Sequence, residues 1–307
     1  MISLWILVIL TLLAVGIGHR VSMALYLSRY QRDKLKALYL AKAGINRAIL
    51  EIINDETTDY DSLQDNWSDN ERVFRKIMFN DNENEFATVS YTLKEGEETK
   101  FGVTDEERKI NINTASKELF IALLEKCNIE AIQDKVNNIL IWRGDIPDDN
   151  KIYENLGYPC KASKFTNIEE LRLVKDITFE DYENLRGLIT VYGDGLININ
   201  SASDEALAIL TYGIAKDLSI KEEFADSVAN KIIELKNSNG YFRAKSDINI
   251  TLTGDEETNI FNHLMDKVMV QSNNFLIEVT GNVSKIKSKT VAIYSRRDKR
   301  ILYWHEG

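Results

Sequence analysis

Residues 1–18 read MISLWILVILTLLAVGIG and contain no charged side chain. As an α-helix, a segment of this length extends about 27 Å, close to the thickness of the hydrocarbon core of a bilayer. We therefore predict a single transmembrane segment at 1–18. Two other interpretations stay open. A cleaved secretory signal would explain the small residues at Ala14–Gly16, but such a signal begins with basic residues, and none precedes the apolar segment. A buried core helix is the other alternative, although eighteen uncharged residues exceed the usual length of such segments.

The helix is predicted to continue well beyond the apolar segment. From Met23 to Ile53 the sequence contains no proline and one glycine, Gly44. Apolar residues along this stretch recur at spacings of three and four, at Leu38, Ala41, Ile45, Ala48 and Ile52. Because this spacing places them on one helical face, we predict one continuous helix to about residue 53, on the order of 80 Å long. Its last third would pack on a soluble domain.

Charge is distributed unevenly along the chain. The 307 residues include 38 Lys and Arg against 48 Asp and Glu, which gives a net charge of −10. Residues 20–47 hold seven basic residues and one acid, or +6, so the rest of the chain holds 31 and 47, or −16. Because phosphate contacts require a basic surface, we expect no nucleic-acid partner for this acidic body.

The β-rich segments lie at two separate places in the sequence. Residues 86–93, FATVSYTL, have strand character, and further short strands are expected at 100–103 and 109–112. Near the C-terminus, strands are expected at 275–280, 288–294 and 300–304 as an antiparallel meander. The residues between these two regions are mostly helical in pattern.

The predicted fold class is therefore α+β, with a long N-terminal helix packed on an antiparallel sheet. We expect 54–112 and 271–307 to build one β domain, and 113–270 to form a large α-helical domain inserted into it.

A repeated heptapeptide lies inside the predicted insertion. ININTAS at 110–116 returns as ININSAS at 197–203, an offset of 87 residues. In each copy the Asn-Thr or Asn-Ser pair is expected to cap a helix, and Glu118, Asp204 and Glu205 place acids in the first turn, where the helix dipole favours them.

The two copies resemble the start of helix-hairpin-helix units. Units of this kind that bind DNA hold phosphate on a Gly-rich hairpin. Here the hairpin segments are 126–130, which lacks glycine, and 212–223, which is acidic and longer than a compact Gly-x-Gly turn. We expect the helical framework to be retained and the phosphate site to be lost.

Taken in order, several segments resemble the general secretion pathway protein K family, the largest minor pseudopilins of type II secretion systems. They are the apolar helix, the Ala-Gly-Ile stretch within 38–48, both heptapeptides, Ile141–Asp145, Tyr158–Pro159, Glu169–Leu171 and the ending Ile301–Trp304. The resemblance covers nearly the whole chain.

This resemblance implies a pilin-like fold with a helical insertion. It also implies a single-pass inner-membrane protein with a periplasmic body, located at the tip of a short pseudopilus. There it would join two other minor pseudopilins, help start filament assembly, and contact secreted cargo or the outer-membrane channel.

Two features bear on the start of the chain. Most pilin-type subunits carry Glu at the fifth residue of the mature helix, whereas this chain has Trp5, an apolar residue of the kind that the resemblance implies for a tip subunit. A tip subunit has no preceding neighbour to pair with such a charge in lipid. Prepilin-type proteins also begin with a basic leader, so we expect Lys or Arg codons upstream of Met1.

Enzymatic chemistry is not expected. The three histidines, His19, His263 and His305, lack metal-ligand spacing, and no nucleophile, phosphate-loop or dinucleotide motif occurs.

Two further site types are predicted in the insertion. Asp145, Asp148 and Asp149 lie within one loop and could hold calcium, which prefers several oxygen ligands, although a solvated acidic loop is the simpler interpretation. Cys127 and Cys160 could form a disulfide in an oxidising compartment or remain buried thiols.

Two alternative functions stay open. The first is a membrane-tethered DNA-binding protein of the competence type that uses the two hairpin-like repeats. The second is a minor pilin of a type IV pilus.

Overall fold

The computed structural model describes residues 2–57, 59–92, 98–149 and 151–307. Its first element, α1 (Ile2–Ile53), is one uninterrupted helix of 52 residues, about 78 Å long. None of residues 2–36 is buried, and the buried face begins at Ala37. The apolar N-terminal part is long and hydrophobic enough to cross a membrane. The predicted continuous helix is confirmed.

The chain then enters a small sheet and leaves it again. After α2 (Glu71–Phe74) come the strands β1 (Ile77–Met78), β2 (Glu85–Val89) and β3 (Thr104–Asp105). The strand predicted to reach residue 93 ends earlier, and Leu93 itself lies outside the described residues.

Two consecutive units of similar design follow, each with helices between a first and a last short strand; within the described ranges the first has four α-helices and the second has three. The first consists of β4 (Ile110–Asn111), α3 (Lys117–Lys126), α4 (Ile132–Arg143), α5 (Ile152–Asn155), α6 (Phe179–Leu185) and β5 (Ile189–Thr190). The second consists of β6 (Ile197–Asn198), α7 (Asp204–Asp217), α8 (Glu222–Asn239), α9 (Gly254–Met265) and β7 (Val268–Met269). In each unit the first strand pairs in parallel with the last. The strand expected at 109–112 is thus present, but it belongs to the insertion and not to the main sheet.

The two heptapeptides have the same geometry. The side chain of Asn113 exchanges two hydrogen bonds with the backbone of Phe165, at 2.7 and 2.9 Å, and Asn200 does the same with Phe242, at 2.8 and 2.9 Å. Sequence analysis placed the helix cap on the Asn-Thr and Asn-Ser pairs, and this was wrong. The caps are the last residues of the repeats, Ser116 and Ser203. The asparagines instead fasten a distant loop to each unit.

The C-terminal strands complete the main sheet. They are β8 (Asn274–Val283), β9 (Ile286–Ser295) and β10 (Arg300–Glu306). The sheet order is β1-β2-β8-β9-β10, and β3 pairs with the first part of β8 while β2 pairs with the last part. All of these pairings are antiparallel, as predicted for the C-terminal meander. The insertion therefore leaves the sheet after β3 and returns directly into β8.

Helix α1 packs on one face of this sheet through small residues. Ala41, Ile45, Ala48 and Ile52 share a core with Ala87, Val89, Ile277 and Val279, whereas the insertion has its own larger core. The closest approach is at Gly281 of β8, where a Cβ atom would lie 1.8 Å from the carbonyl oxygen of Ala37. A Cβ atom added to Gly44 of α1 would likewise lie 2.6 Å from a methyl carbon of Val279. Helix and sheet can meet at this distance because neither residue carries a side chain at the contact.

We predict that Gly281→Ala destabilises the fold by about 3 kcal/mol, because the added methyl group forces the helix backbone away from the sheet. The measurement is the free energy of unfolding of the full chain in nonionic micelles. Gly187→Ala is the matched control, since a Cβ atom there meets nothing within 4 Å. Equal stability of the two variants would contradict this packing.

Candidate functional site

The exposed face of α1 carries a stripe of residues spaced for packing against another helix. Leu35, Tyr39, Lys42, Asn46, Ile49 and Ile53 follow one another at intervals of four and three residues. This alternation is the pattern of a helix–helix contact, and we call these six residues the α1 seam. Leu35, Tyr39 and Ile53 are 54%, 63% and 54% exposed, whereas Lys42 and Ile49 are partly covered by the protein's own fold.

Strand β10 forms one wall beside the seam. The Lys42 ammonium group binds Glu306 at 2.8 Å and lies 5.8 Å from the centre of the Trp304 ring. Further along the helix, a groove is lined by Ile49 and Ile53 of α1 and by Ile301 of β10. Its rim includes the basic residues Arg296, Lys299 and Arg300. Because β10 is an edge strand, the groove is open on that side.

Polar residues within a helix–helix seam restrict how two helices can align, and this seam contains two of them, Lys42 and Asn46. The pairing of Lys42 with Glu306 holds it at the edge of the seam. The arrangement is that of a binding surface for an amphipathic helix. It brings together no set of nucleophile, base and oxyanion donors.

The second notable site is the buried polar junction where the insertion meets the sheet. Asp105 is 1% exposed, and its carboxylate accepts hydrogen bonds from the hydroxyl groups of Ser201 and Ser272 and from the side chain of Asn198 at 3.2 Å. Glu107 accepts hydrogen bonds from the backbone of Asn273 and Asn274. These bonds connect the outgoing strand, the second heptapeptide and the returning strand.

A buried ion pair joins the same junction to the loop after α1. Asp61 is fully buried and receives two hydrogen bonds from the Arg296 guanidinium, at 2.9 and 2.5 Å, and one from the Ser272 backbone at 2.6 Å. Sequence reasoning missed this site, because 105–109, DEERK, has the composition of a solvated turn. The one available signal was the position of this charged run directly before a buried Ile-x-Ile segment.

Burial raises the pKa values of the junction acids. The pKa of Glu107 is raised to about 7, first by burial and then by the nearby Asp105 carboxylate. Burial also raises the pKa of Asp105, and it raises that of Asp61 to about 6 although Arg296 opposes this shift. In the folded protein, the ionised form of each of these three acids is therefore disfavoured.

The prediction that the second hairpin is too long to bind phosphate is wrong, and the hairpins differ from a phosphate-binding loop in how their amide groups are bonded. The second hairpin is four residues, 218–221, and is not longer than a compact turn, because Tyr212–Asp217 belong to α7. In both hairpins the amide groups bond to the preceding helix, for example Ile129 to Leu124 and Ile220 to Ala215. These amides already have partners, which disfavours their use for phosphate.

The charged groups around the hairpins are paired as well. Lys126 binds Glu222 at 2.6 Å, and Lys216 binds Glu125 at 2.9 Å. Lys126 also lies 3.8 Å from Asp226, so these two lysines are paired with three acids and their charge is offset.

The predicted calcium ligands have other roles in the structure. Asp145 pairs with Arg143, and both carboxylate oxygens of Asp148 accept backbone hydrogen bonds at the start of α5, from Ile152 at 2.8 Å and Tyr153 at 3.3 Å. Asp149 is exposed beside them. Calcium at this loop stays a prediction. Within the described ranges, the carboxylates that approach one another within 4.8 Å are instead Asp55, Asp61 and Asp65.

The two cysteines lie on different parts of the first unit. Cys127 follows α3, and the Cys160 thiol donates to the Ile141 carbonyl group at 3.6 Å. Both side chains are partly exposed. Their oxidation in an oxidising compartment stays a prediction.

We predict that Arg296→Gln destabilises the protein by about 3 kcal/mol at pH 8, because it leaves the buried Asp61 carboxylate without its cation. Arg297→Gln is the matched control, since its pair with Asp194 is more than half exposed on both sides. The control should lose less than about 1 kcal/mol. Chemical unfolding of the two variants in micelles measures this difference, and equal losses would contradict the role of the buried pair.

Stability should fall as the pH rises from about 5 to about 7. Because the folded pKa values of Glu107 and Asp61 lie above their ordinary values of 4.5 and 3.8, the folded state holds more protons than the unfolded state in this range. The expected loss is on the order of 2 to 3 kcal/mol. Unfolding at pH 5 and at pH 8 tests this, with Glu107→Gln expected to reduce the difference. A protein that gains stability between these pH values would overturn the prediction.

Comparison with known proteins identifies a solved structure with the same fold. No protein-family model and no curated protein matches the sequence. Among solved structures, the chain is similar to a chain of the crystal structure of the GspK-GspI-GspJ complex from the enterotoxigenic Escherichia coli type 2 secretion system. The TM-score is 0.67 at 14% sequence identity, and the match covers 91% of this chain and 99% of that chain. The chain therefore has the fold of a subunit of that complex, with both the pilin-like sheet and the helical insertion, as its sequence predicted.

Proposed function

We propose that this chain is a minor pseudopilin of a type II secretion system. In this role it is a structural subunit and not an enzyme. It is anchored by the apolar part of α1 as a single-pass protein in the inner membrane of a bacterium, and its body lies in the periplasm.

The observation that carries the proposal is the extent of the structural likeness. It spans 91% of this chain and 99% of the matched chain, so the match includes the insertion together with the pilin-like sheet. A pilin-like sheet alone would fit any filament subunit. The combination with a large duplicated helical insertion is much more specific.

The α1 seam supplies the means of assembly. The matched structure is a complex of three named proteins, GspK, GspI and GspJ. We propose that corresponding pilin-like partners of this chain pack their own long helices against the seam. Leu35, Tyr39 and Ile53 would provide the apolar contacts, and Lys42 would fix the alignment.

The insertion favours a position at the tip of the filament. It occupies the chain from β4 to β7, so it makes the body far wider than a pilin-like sheet with one helix. A subunit of this width would obstruct regular stacking along a thin fibre, whereas it can cap one end.

A competence-type DNA receptor is the less favoured alternative. The net charge of −10 and the occupied hairpin amides both oppose phosphate binding.

The test is co-purification of the full chain, in mild detergent, with the pilin-like proteins encoded beside its gene. We expect at least one of them to co-purify, and Leu35→Asp to reduce its recovery about tenfold or more by placing a charge in the seam. Leu173→Asp is the matched control, since Leu173 is 50% exposed and Leu35 54% exposed, but Leu173 lies on the insertion. Recovery of no pilin-like partner, or equal loss in both variants, would contradict the proposal.

A further inference from the structure

A cleft opens between the two units of the insertion. Its floor is apolar and comes from both units, through Ile110, Ala115 and Leu119 of the first and Ile197, Leu210 and Ile214 of the second. The cleft has a volume of about 140 Å³. This is close to the size of the engineered cavity, about 150 Å³, that holds a benzene molecule, so a short hydrocarbon chain fits. We call it the inter-unit cleft.

The rim of the inter-unit cleft is acidic. Asp194, Asp217 and Asp266 lie on it together with one base, Lys267. Glu118 hydrogen-bonds to Asp217, and Arg297 binds Asp194 at 2.8 Å. A hydrogen bond between two carboxyl groups requires a proton on one of them, so the four acids and two bases leave a net charge of about −1 at the mouth.

Two of these acids lie at the C-terminal ends of helices, where the partial negative charge of the helix end disfavours a carboxylate. Asp217 is the last residue of α7, and Asp266 is the C-cap of α9. The C-terminal end of a helix carries partial negative charge, so a carboxylate there is repelled and a cation is attracted. Two helix C-terminal ends and two carboxylates therefore direct negative potential at the same mouth, and the N-terminal end of α3, capped by Ser116, opposes it in part.

The contact between Asp217 and its neighbours adds to this potential. Burial and the Glu118 carboxyl group raise the pKa of Asp217, while Ser116 donates a hydrogen bond to it at 3.1 Å. One hydroxyl donor does not balance two adjacent carboxyl groups. A cation placed at this position would relieve their repulsion.

We propose that the inter-unit cleft binds a lysine or arginine side chain presented by an extended segment of a protein partner. The aliphatic part of such a side chain lies along the apolar floor, and its charged end reaches the carboxylates at the rim, as amphipathic side chains do at other surfaces. A bare metal ion matches this cleft poorly, because most of its lining offers no oxygen ligand. A neutral apolar group would fill the floor and leave the charge at the rim unmatched.

This inference does not depend on the proposed function. The inter-unit cleft lies on the insertion and the seam lies on α1, so either can fail while the other holds.

The test uses the full chain in nonionic micelles with methyl-labelled leucine and isoleucine. The probes are N-acetyl-lysine methylamide, the corresponding arginine compound, and N-acetyl-norleucine methylamide, which has the aliphatic chain without the charge. We expect saturable NMR shifts at the Leu119, Leu210 and Ile214 methyl groups with the cationic probes, and at least threefold weaker binding of the norleucine probe.

Two substitutions locate the charge that matters. Asp217→Asn and Asp266→Asn should each weaken binding of the lysine probe about three- to fivefold. Asp255→Asn removes the same charge from the other end of α9 and should leave the affinity unchanged. Stronger binding of the arginine probe would identify a guanidinium as the preferred group. No saturable shift, equal binding of norleucine, or an equal effect of Asp255→Asn would overturn the proposal.

Discussion

The contact between α1 and β8 at Ala37 and Gly281 determines how the rest of the molecule is arranged. The helix lies so close to the sheet that a single methyl group on Gly281 would overlap the helix backbone. Once this distance is set, Ala41, Ile45 and Ala48 fill the narrow space between the helix and the sheet. The opposite face of α1 is then exposed for much of its length, which leaves the seam free for a partner. The same close packing therefore stabilises the fold and presents the surface that we propose for assembly.

The insertion is attached to this frame by buried polar groups and not by a flexible linker. Asp105 and Glu107 hold the outgoing strand, and Asp61 with Arg296 connects the returning strand to the loop after α1. Breaking one partner of such a network leaves another buried group unsatisfied, so the connection is rigid.

Much of the fold could be predicted because its signals are local and periodic. The uncharged run before Gly18 and the three-four spacing after Leu38 predicted α1, and the alternating C-terminal runs predicted the meander. The repeated heptapeptides predicted two equivalent units. Their caps were assigned to the wrong residues, because Asn and Ser are both good caps and the sequence does not show that Asn113 and Asn200 bind the distant Phe165 and Phe242. The buried junction was missed for a similar reason, since the partners of Asp61 are more than 200 residues away in the chain. The α1 seam escaped notice because the stripe that packs on the sheet dominates the apolar pattern of the helix.

The central claim is that other pilin-like helices pack along the exposed face of α1. Site-specific photo-crosslinking in living cells tests it most directly, with the photoreactive residue placed at Tyr39 in one strain and at the exposed Phe179 of the insertion in another. The account predicts that the probe at position 39 crosslinks to pilin-like proteins of the same system and that the probe at position 179 does not. Crosslinks to pilin-like proteins from position 179 with none from position 39 would contradict it.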